Sequence, residues 1–102
     1  MSLTHEVQNE SQRGLILSIL VDWKLEWMPF NELRLQILRR SGYTLAEQEL
    51  QFHLNYLGAR EYIETRRLRA GRADLELTTV RATAKALDLK EGRITPDPGV
   101  PL

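Results

Sequence analysis

Few residues of this 102-residue chain are arranged for catalysis. Its two histidines, His5 and His53, lie far apart, and neither belongs to an HExxH metal-binding pattern. The carboxylates of Glu47 and Glu49 would point to different sides of a helix, so they do not form an acid–base pair. The sequence has no cysteine, no GxSxG pattern and no phosphate-binding glycine loop. We therefore expect no enzyme, no metal, no cofactor and no small-molecule substrate, and we interpret His53 as a packed structural histidine.

Arginine and amide side chains offer a different chemistry, which is binding to double-stranded DNA. Residues 60–72 hold five arginines against two glutamates, although the 14 basic and 14 acidic residues of the whole chain cancel. Guanidinium groups bind phosphate, glutamine and asparagine can form paired hydrogen bonds with adenine, and an aromatic ring can touch a thymine methyl group. The candidates for DNA contact are Arg39, Arg40, Gln48, Gln51, Phe52, Asn55, Arg66, Arg67, Arg69 and Arg72. The zero net charge and the two glutamates at 47 and 49 count against this interpretation.

Helical periodicity predicts the elements that would carry the amide groups. Apolar residues recur at spacings of three and four over residues 9–23, which predicts a helix ending near Trp23. A second helix over 32–40, with Asn31 as its N-cap, would bury Leu33, Ile37 and Leu38, and Gly42 would then make a short turn. The third helix, over 44–57, begins with a predicted capping box of Thr44 and Glu47. It would bury Ala46, Leu50, Leu54 and Leu57 and expose the amide groups.

A hairpin is predicted to carry the arginines, because the period changes to two after residue 61. Strands over 62–70 and 74–82 have equal length, with a turn at 71–73. The apolar segment 24–30 would pair with this hairpin as a short strand. Thr83 can cap a last helix over 84–91, which would bury Ala84 and Leu87, and a start at Thr79 is the alternative.

This order of elements resembles the winged-helix superfamily over residues 9–91. Within it, LNYLGAREYIE is similar to the stretch where the recognition helix ends and the wing begins, and many members have glycine where Glu61 stands. The ending LDLKEGRITPDPGV resembles that of small winged-helix proteins of Mu-like phages and prophages, a group with no established activity to carry over. The resemblance implies an α+β winged helix-turn-helix with a three-helix core, a β-hairpin wing and an additional C-terminal helix. It also implies a phage or prophage origin.

The predicted organisation is a flexible N-terminus over 1–8, the winged-helix domain over 9–91 and a proline-rich extended tail over 92–102. The sequence has no apolar run long enough for a membrane span and no secretory signal pattern. We therefore expect a location in the cytoplasm of a bacterial host cell.

Two functions remain open at this point. The first is a DNA-binding protein, either a transcriptional regulator or a phage DNA-associated factor, with wing arginines on phosphate and the helix 44–57 toward the groove. The alternative is a protein-interaction or dimerisation module that does not bind DNA. Its interface, including that of a homodimer, would use Phe52, Tyr56, Leu89, Ile94 and Val100.

Overall fold

The computed structural model of the chain describes residues 3–70 and 75–102, so the predicted turn and Arg72 lie outside the described residues. The elements are α1 (Leu3–Asp22), β1 (Met28–Pro29), α2 (Phe30–Ser41), α3 (Glu47–Ala59), β2 (Ile63–Ala70), β3 (Leu75–Ala82) and α4 (Ala84–Lys90). The three strands form an antiparallel sheet in the order β1-β3-β2. Helices α1, α2 and α3 pack with this sheet, and α4 follows the wing. This is the predicted α+β winged helix-turn-helix, with a three-helix core and an additional C-terminal helix.

The first helix is longer than predicted, because it begins at Leu3 rather than near Asn9. No glycine or proline interrupts residues 3–9, so the helix continues past its buried part toward the N-terminus. Its buried part centres on Ile16, Leu17 and Leu20. The helix ends at Asp22, close to the predicted end near Trp23, and Trp23 lies in the following turn and is 40 % exposed.

The second helix begins two residues earlier than predicted. Its N-cap is Pro29, not Asn31, and no side chain caps the first turn. Proline fixes its own φ near the value that a helix start needs, so the chain can turn into α2 directly after β1. Leu33 and Ile37 are buried as predicted, but Leu38 is 41 % exposed and does not join the core.

The turn after α2 confirms the prediction for Gly42, but the start of α3 does not match the predicted capping box. Gly42 has a φ of 77°, and its N–H donates to the carbonyl of Leu38 at 2.8 Å. The N-cap of α3 is the exposed Ala46, with no side-chain cap, and Thr44 lies outside the helix. Leu45 between them is buried, and residues 43–46 lie outside both helices, with Ala46 extended.

The core side of α3 and its exit agree with the sequence pattern, except that Ala46, which was predicted to be buried, is exposed at the N-cap. Leu50, Leu54 and Leu57 are fully buried. After the helix, Glu61 adopts a φ of 67°, the left-handed conformation that a glycine at this position would adopt easily. The chain therefore leaves the helix as in the winged-helix pattern although the glycine is missing.

The sheet also confirms the predicted strands. Residue Met28 of β1 pairs with Val80, and Ile63 of β2 pairs with Ala82. Thr83 caps α4 as predicted, and its side chain accepts a hydrogen bond from the N–H of Ala86. The buried residues of α4 are Ala86 and Leu89, however, while Ala84 is exposed and Leu87 is half-buried. The predicted buried face of this short helix was therefore wrong.

The tail over residues 92–102 folds back onto α1. Arg13, itself buried, donates from Nε to the carbonyl of Gly99 at 2.8 Å, and Val100 is 1 % exposed. A side chain at Gly14 would collide with the carbonyl oxygen of Pro101, so the absence of a side chain here permits the close approach of the tail to α1.

The tail contacts correct the predicted self-association surface. Leu89 and Val100 belong to the core of their own chain, and Ile94 packs partly buried against it. These three side chains are therefore not exposed to a partner.

Two features, a membrane-spanning helix and a cluster of metal-binding side chains, are absent from the part of the chain that the structure describes. None of its helices has the length and apolar character needed to cross a bilayer. No three histidine, aspartate or glutamate side chains of these residues stand close enough to hold a metal ion together.

Candidate nucleic-acid interface

The outer face of α3 carries the four side chains that the sequence placed there. Gln48, Gln51, Phe52 and Asn55 are all exposed, opposite the buried leucines. Gln51 donates from Nε2 to Oδ1 of Asn55 at 2.9 Å, so two of the amides are held together one turn apart. The bond leaves a carbonyl oxygen on Gln51 and amide hydrogens on Asn55. That acceptor and donor pair is the set that adenine requires in the major groove.

The predicted wing arginines lie on two opposite faces of the hairpin. In the register of β2 with β3, Arg67 lies opposite Thr78 and Arg69 lies opposite Glu76. Because side chains alternate along a strand, Arg67 and Arg69 share the face of Ile63, which is buried against the core. Arg66 points to the other face. The structure therefore separates Arg66 from the two arginines with which the sequence grouped it.

Arg66 is held by a tryptophan that the sequence analysis did not include among the site residues. Its guanidinium carbon lies 4.2 Å from the centre of the Trp27 ring, and that of Arg81 lies 4.6 Å from the same ring. Arg81 also pairs with Glu64 at 2.9 Å. The sequence predicted that the segment 24–30 pairs with the hairpin, but not with which strand or in which register. In the observed register Met28 lies opposite Val80, which places Trp27 beside Arg81.

A groove of about 470 Å³ separates the start of α3 from the wing. Gln48 and Gln51 line one side, and Glu76 and Thr78 of β3 line the other. The starts of α2 and α3 both border this groove, and neither helix has a side-chain cap, so first-turn N–H groups lie near it. Peptide N–H groups at a helix start attract anions.

One of the two acidic residues that counted against DNA binding has a basic neighbour. Glu47 borders the groove, and its Oε1 lies 3.9 Å from Nη1 of Arg34 on α2. Arg34 also donates from Nε to the carbonyl of Leu45 at 3.1 Å, which fixes it at the turn between the two helices. Arg34 was absent from the predicted site, since only the packing of α2 against α3 brings it to Glu47.

The two arginines at the end of α2 have different surroundings. Arg40 pairs with Asp22 of α1 at 3.0 Å, so its charge is already used within the chain. A hydrogen bond from Lys90 has the largest effect on the pKa of the Asp22 carboxyl and lowers it. Burial opposes this with a smaller effect, and the hydrogen bond from Arg40 lowers the pKa further. Arg39 is exposed and makes no ion pair with the residues that the structure describes. Of the two, Arg39 is the better placed for a phosphate.

The predicted exposed pair of Phe52 and Tyr56 is not a pair. Phe52 is 58 % exposed, but Tyr56 is half-buried beneath the tail. Two guanidinium groups lie over the ring of Tyr56, with their central carbons 3.9 Å (Arg13) and 4.5 Å (Arg60) from its centre. The ring is therefore already engaged within its own chain.

His53 has the structural role expected from the sequence. It is 2 % exposed, and its Nε2 lies 2.8 Å from Oε1 of Gln12 on α1. Burial, and next the charge of Arg13, lower the pKa of His53 below its usual range, and Glu49 opposes this shift. His53 is therefore neutral at physiological pH and links α3 to α1.

Two solved structures share the fold of this chain. A transcriptional regulator from Clostridium thermocellum superposes with a TM-score of 0.65 at 19 % identity, over 91 % of this chain and 84 % of that chain. A candidate transcriptional regulator from Thermoplasma acidophilum also gives 0.65, at 17 % identity, over 85 % and 86 % of the two chains. No family model and no curated protein matches the sequence. At these identities the likeness establishes the fold, which this chain shares with structures described as transcriptional regulators.

Proposed function

We propose that this chain is a DNA-binding regulator that places α3 toward the major groove and one face of the wing on the phosphates. This face, which carries Arg67 and Arg69, is called the inner wing face. The observation that carries the proposal is that Arg67 and Arg69 lie on the same side of the wing as the groove beside Gln48 and Gln51. The side chains that we propose for phosphate contact and for base contact would therefore face the same side of the molecule. The description of both structural neighbours as regulators supports the same assignment.

The two parts of this surface would contribute differently. Arginine contacts to phosphate supply affinity that is independent of sequence and falls with salt. The amides of Gln48, Gln51 and Asn55 would supply selectivity, at about 1–3 kcal/mol for each well-formed pair. Gln51 and Asn55 are already bonded to each other, so less side-chain freedom is lost when they meet a base.

The wing assignment is tested with a double variant and a matched control on the same strand. Arg67→Ala combined with Arg69→Ala should weaken binding to all duplex sequences. It should also reduce the slope of log affinity against log salt by about 1.8, since each phosphate contact contributes about 0.9. Arg66→Ala should leave both nearly unchanged, because Arg66 lies on the opposite face against Trp27. Fluorescence anisotropy with random duplex DNA at several salt concentrations measures both quantities.

Two results would contradict the proposal at different levels. If the wild-type protein binds no duplex DNA at low salt, the proposal as a whole is wrong. If Arg66→Ala weakens binding as much as the double variant does, DNA is bound but the assignment of the inner wing face is wrong.

Phe52 favours a second candidate function, a protein-interaction module. The ring is 58 % exposed on the face that base reading would use, and exposed aromatic residues often mark protein interfaces. On this alternative, Phe52→Ala changes the molar mass measured by light scattering, and Gln51→Ala on the same face does not. An unchanged monomeric mass with both variants removes self-association through Phe52. The phage or prophage origin remains a prediction from the sequence ending.

A further inference from the structure

A cleft lies on another side of the molecule, between α1 and the turn that joins α2 to α3. Its volume is about 230 Å³. Leu15, Ile37 and Leu45 supply its apolar lining, and the latter two are buried. Residues 8, 11, 12 and 15 of α1 form one wall, because these spacings place them on a single helical stripe.

The polar groups around this cleft are amides and hydroxyls. Gln8, Ser11, Gln12, Ser41 and Tyr43 line it, with no arginine, lysine, aspartate or glutamate among the lining residues that the structure describes. Gln12 uses its carbonyl oxygen on His53, so its amide hydrogens are the groups left to bind an occupant. The hydroxyl groups of Ser11 and Tyr43 can both donate and accept, whereas that of Ser41 already donates to the carbonyl of Ile37 and accepts the N–H of Tyr43.

We infer that this cleft binds a small uncharged aromatic molecule that carries a hydroxyl group. The volume supports this size, since an engineered apolar cavity of roughly 150 Å³ holds benzene and a somewhat larger space takes two fused rings. The leucine and isoleucine side chains favour the rings, and the amide of Gln12 and the nearby hydroxyls favour one polar substituent. An ion would lose its hydration without an opposite charge to replace it.

No residue that lines the cleft belongs to the proposed DNA surface. Two of the lining residues, however, contact groups that position α3. Gln12 holds His53 of that helix, and Ser41 Oγ accepts the N–H of Tyr43 in the turn at 3.1 Å. A molecule in the cleft therefore contacts the side chains that set the helix-turn-helix. The inference itself concerns binding, so it is tested without DNA and stands or fails separately from the proposed function.

In the test, the full chain is titrated with 2-naphthol or with its charged counterpart 2-naphthoate. Binding is followed by the amide chemical shifts of the protein. 2-Naphthol should give saturable shifts that centre on Ser11, Gln12, Ser41 and Tyr43 at millimolar concentration or below. 2-Naphthoate should bind at least about tenfold more weakly, because the lining offers no cation. Ser11→Phe, at an exposed position on the edge of the cleft, should weaken 2-naphthol binding at least about tenfold by filling the entrance. Leu35→Phe, at an exposed position of α2 outside the cleft, is the matched control.

Three results would overturn the inference. The first is no saturation by 2-naphthol, or shifts scattered over the whole surface. The second is equal binding by the Ser11→Phe and wild-type proteins when thermal melting shows that both are folded. The third is a dimer in sedimentation equilibrium that Ser11→Phe dissociates, since the cleft would then be occupied by a second copy of the chain.

Discussion

His53 illustrates how burial decides the role of a single titratable residue. The ring lies between α1 and α3, with one nitrogen on Gln12, and its Nδ1 is buried with no hydrogen-bond partner among the described residues. Adding a proton to this ring would place a charge beside Arg13 in a site with little water. The same imidazole on the exposed face of α3 would be a candidate for binding phosphate. Here the fold needs its neutral form.

The lowered pKa of His53 predicts a loss of stability in mild acid. Below the ordinary pKa of 6.5 the unfolded chain binds a proton at His53, while the folded chain does not until the pH falls through its own lower pKa. The free energy of unfolding should therefore decrease as the pH falls from about 7.5 to about 5.5. Urea unfolding at both pH values measures the decrease.

His53→Gln is the control for this prediction. Glutamine can keep a hydrogen bond to Gln12 but does not titrate, and the variant retains every other ionisable group of the chain. Its stability should change less between the two pH values than that of the wild type. An equal loss in both proteins would assign the acid sensitivity to other groups.

At the scale of the elements, the periodicity of apolar residues predicted most of the fold. The leucines of α3, the glycine turn after α2, the hairpin and the cap of α4 are all local in sequence, so a short window contains the information for each. The starts of α2 and α3 were wrong, because side-chain capping there is outweighed by tertiary contacts. Leu45, for example, is buried and leaves Thr44 outside the helix.

The candidate site was less predictable than the fold. Helical spacing predicts which residues lie on the outer face of α3. Strand alternation assigns each wing residue to one of two faces, once one buried residue of the strand is known. The contacts of Trp27 with Arg66 and of Arg34 with Glu47 are different, because they join separate elements. No spacing within one element encodes them.

Two helical glycines provide a matched test of how α1 meets the tail. Alanine favours a helix over glycine by up to about 1 kcal/mol when the new methyl group has room. At Gly58 in α3 the nearest neighbour of such a methyl is Ile63 Cγ1 at 4.0 Å, so Gly58→Ala should leave stability unchanged or raise it. Gly14→Ala should lower it, because the methyl collides with the backbone of Pro101. Chemical denaturation of both variants measures the difference in sign.

A Gly14→Ala protein as stable as Gly58→Ala would show that the tail can move away from α1 at no cost. Amide shifts of residues 99–101 distinguish that outcome from a tail that stays in place.

For the whole molecule, the distribution of charge matters more than its zero sum. Several basic side chains are already paired within the chain, as Arg40 and Lys90 are with Asp22 and Arg81 is with Glu64. The exposed arginines without an ion pair among the described residues are Arg39, Arg66, Arg67 and Arg69, and the last three lie on the wing. A protein with this distribution can bind a polyanion locally without a large net charge, and its binding should depend strongly on salt.

The tail contributes to the stability of the whole chain rather than to a separate surface. Val100 is buried in the common core, whereas Leu102, two residues later, is 47 % exposed. Val100→Ala should lower the free energy of unfolding by about 1–2 kcal/mol, since about two buried methylene equivalents are lost. Leu102→Ala should change it by less than about 0.5 kcal/mol. Urea denaturation followed by circular dichroism compares the two, and equal effects would remove the tail from the cooperative core.

The bond between Arg13 and Gly99 also has a consequence for the order of folding. It joins residues 86 positions apart, whereas the helix-turn-helix and the hairpin close over much shorter loops. Loop closure grows more costly with length, so we expect the short-range units to form in the folding transition state and the tail to dock afterwards. Contacts that form after the transition state mainly slow unfolding. The residues at 97–101 would therefore govern how long the folded molecule persists more than how fast it forms.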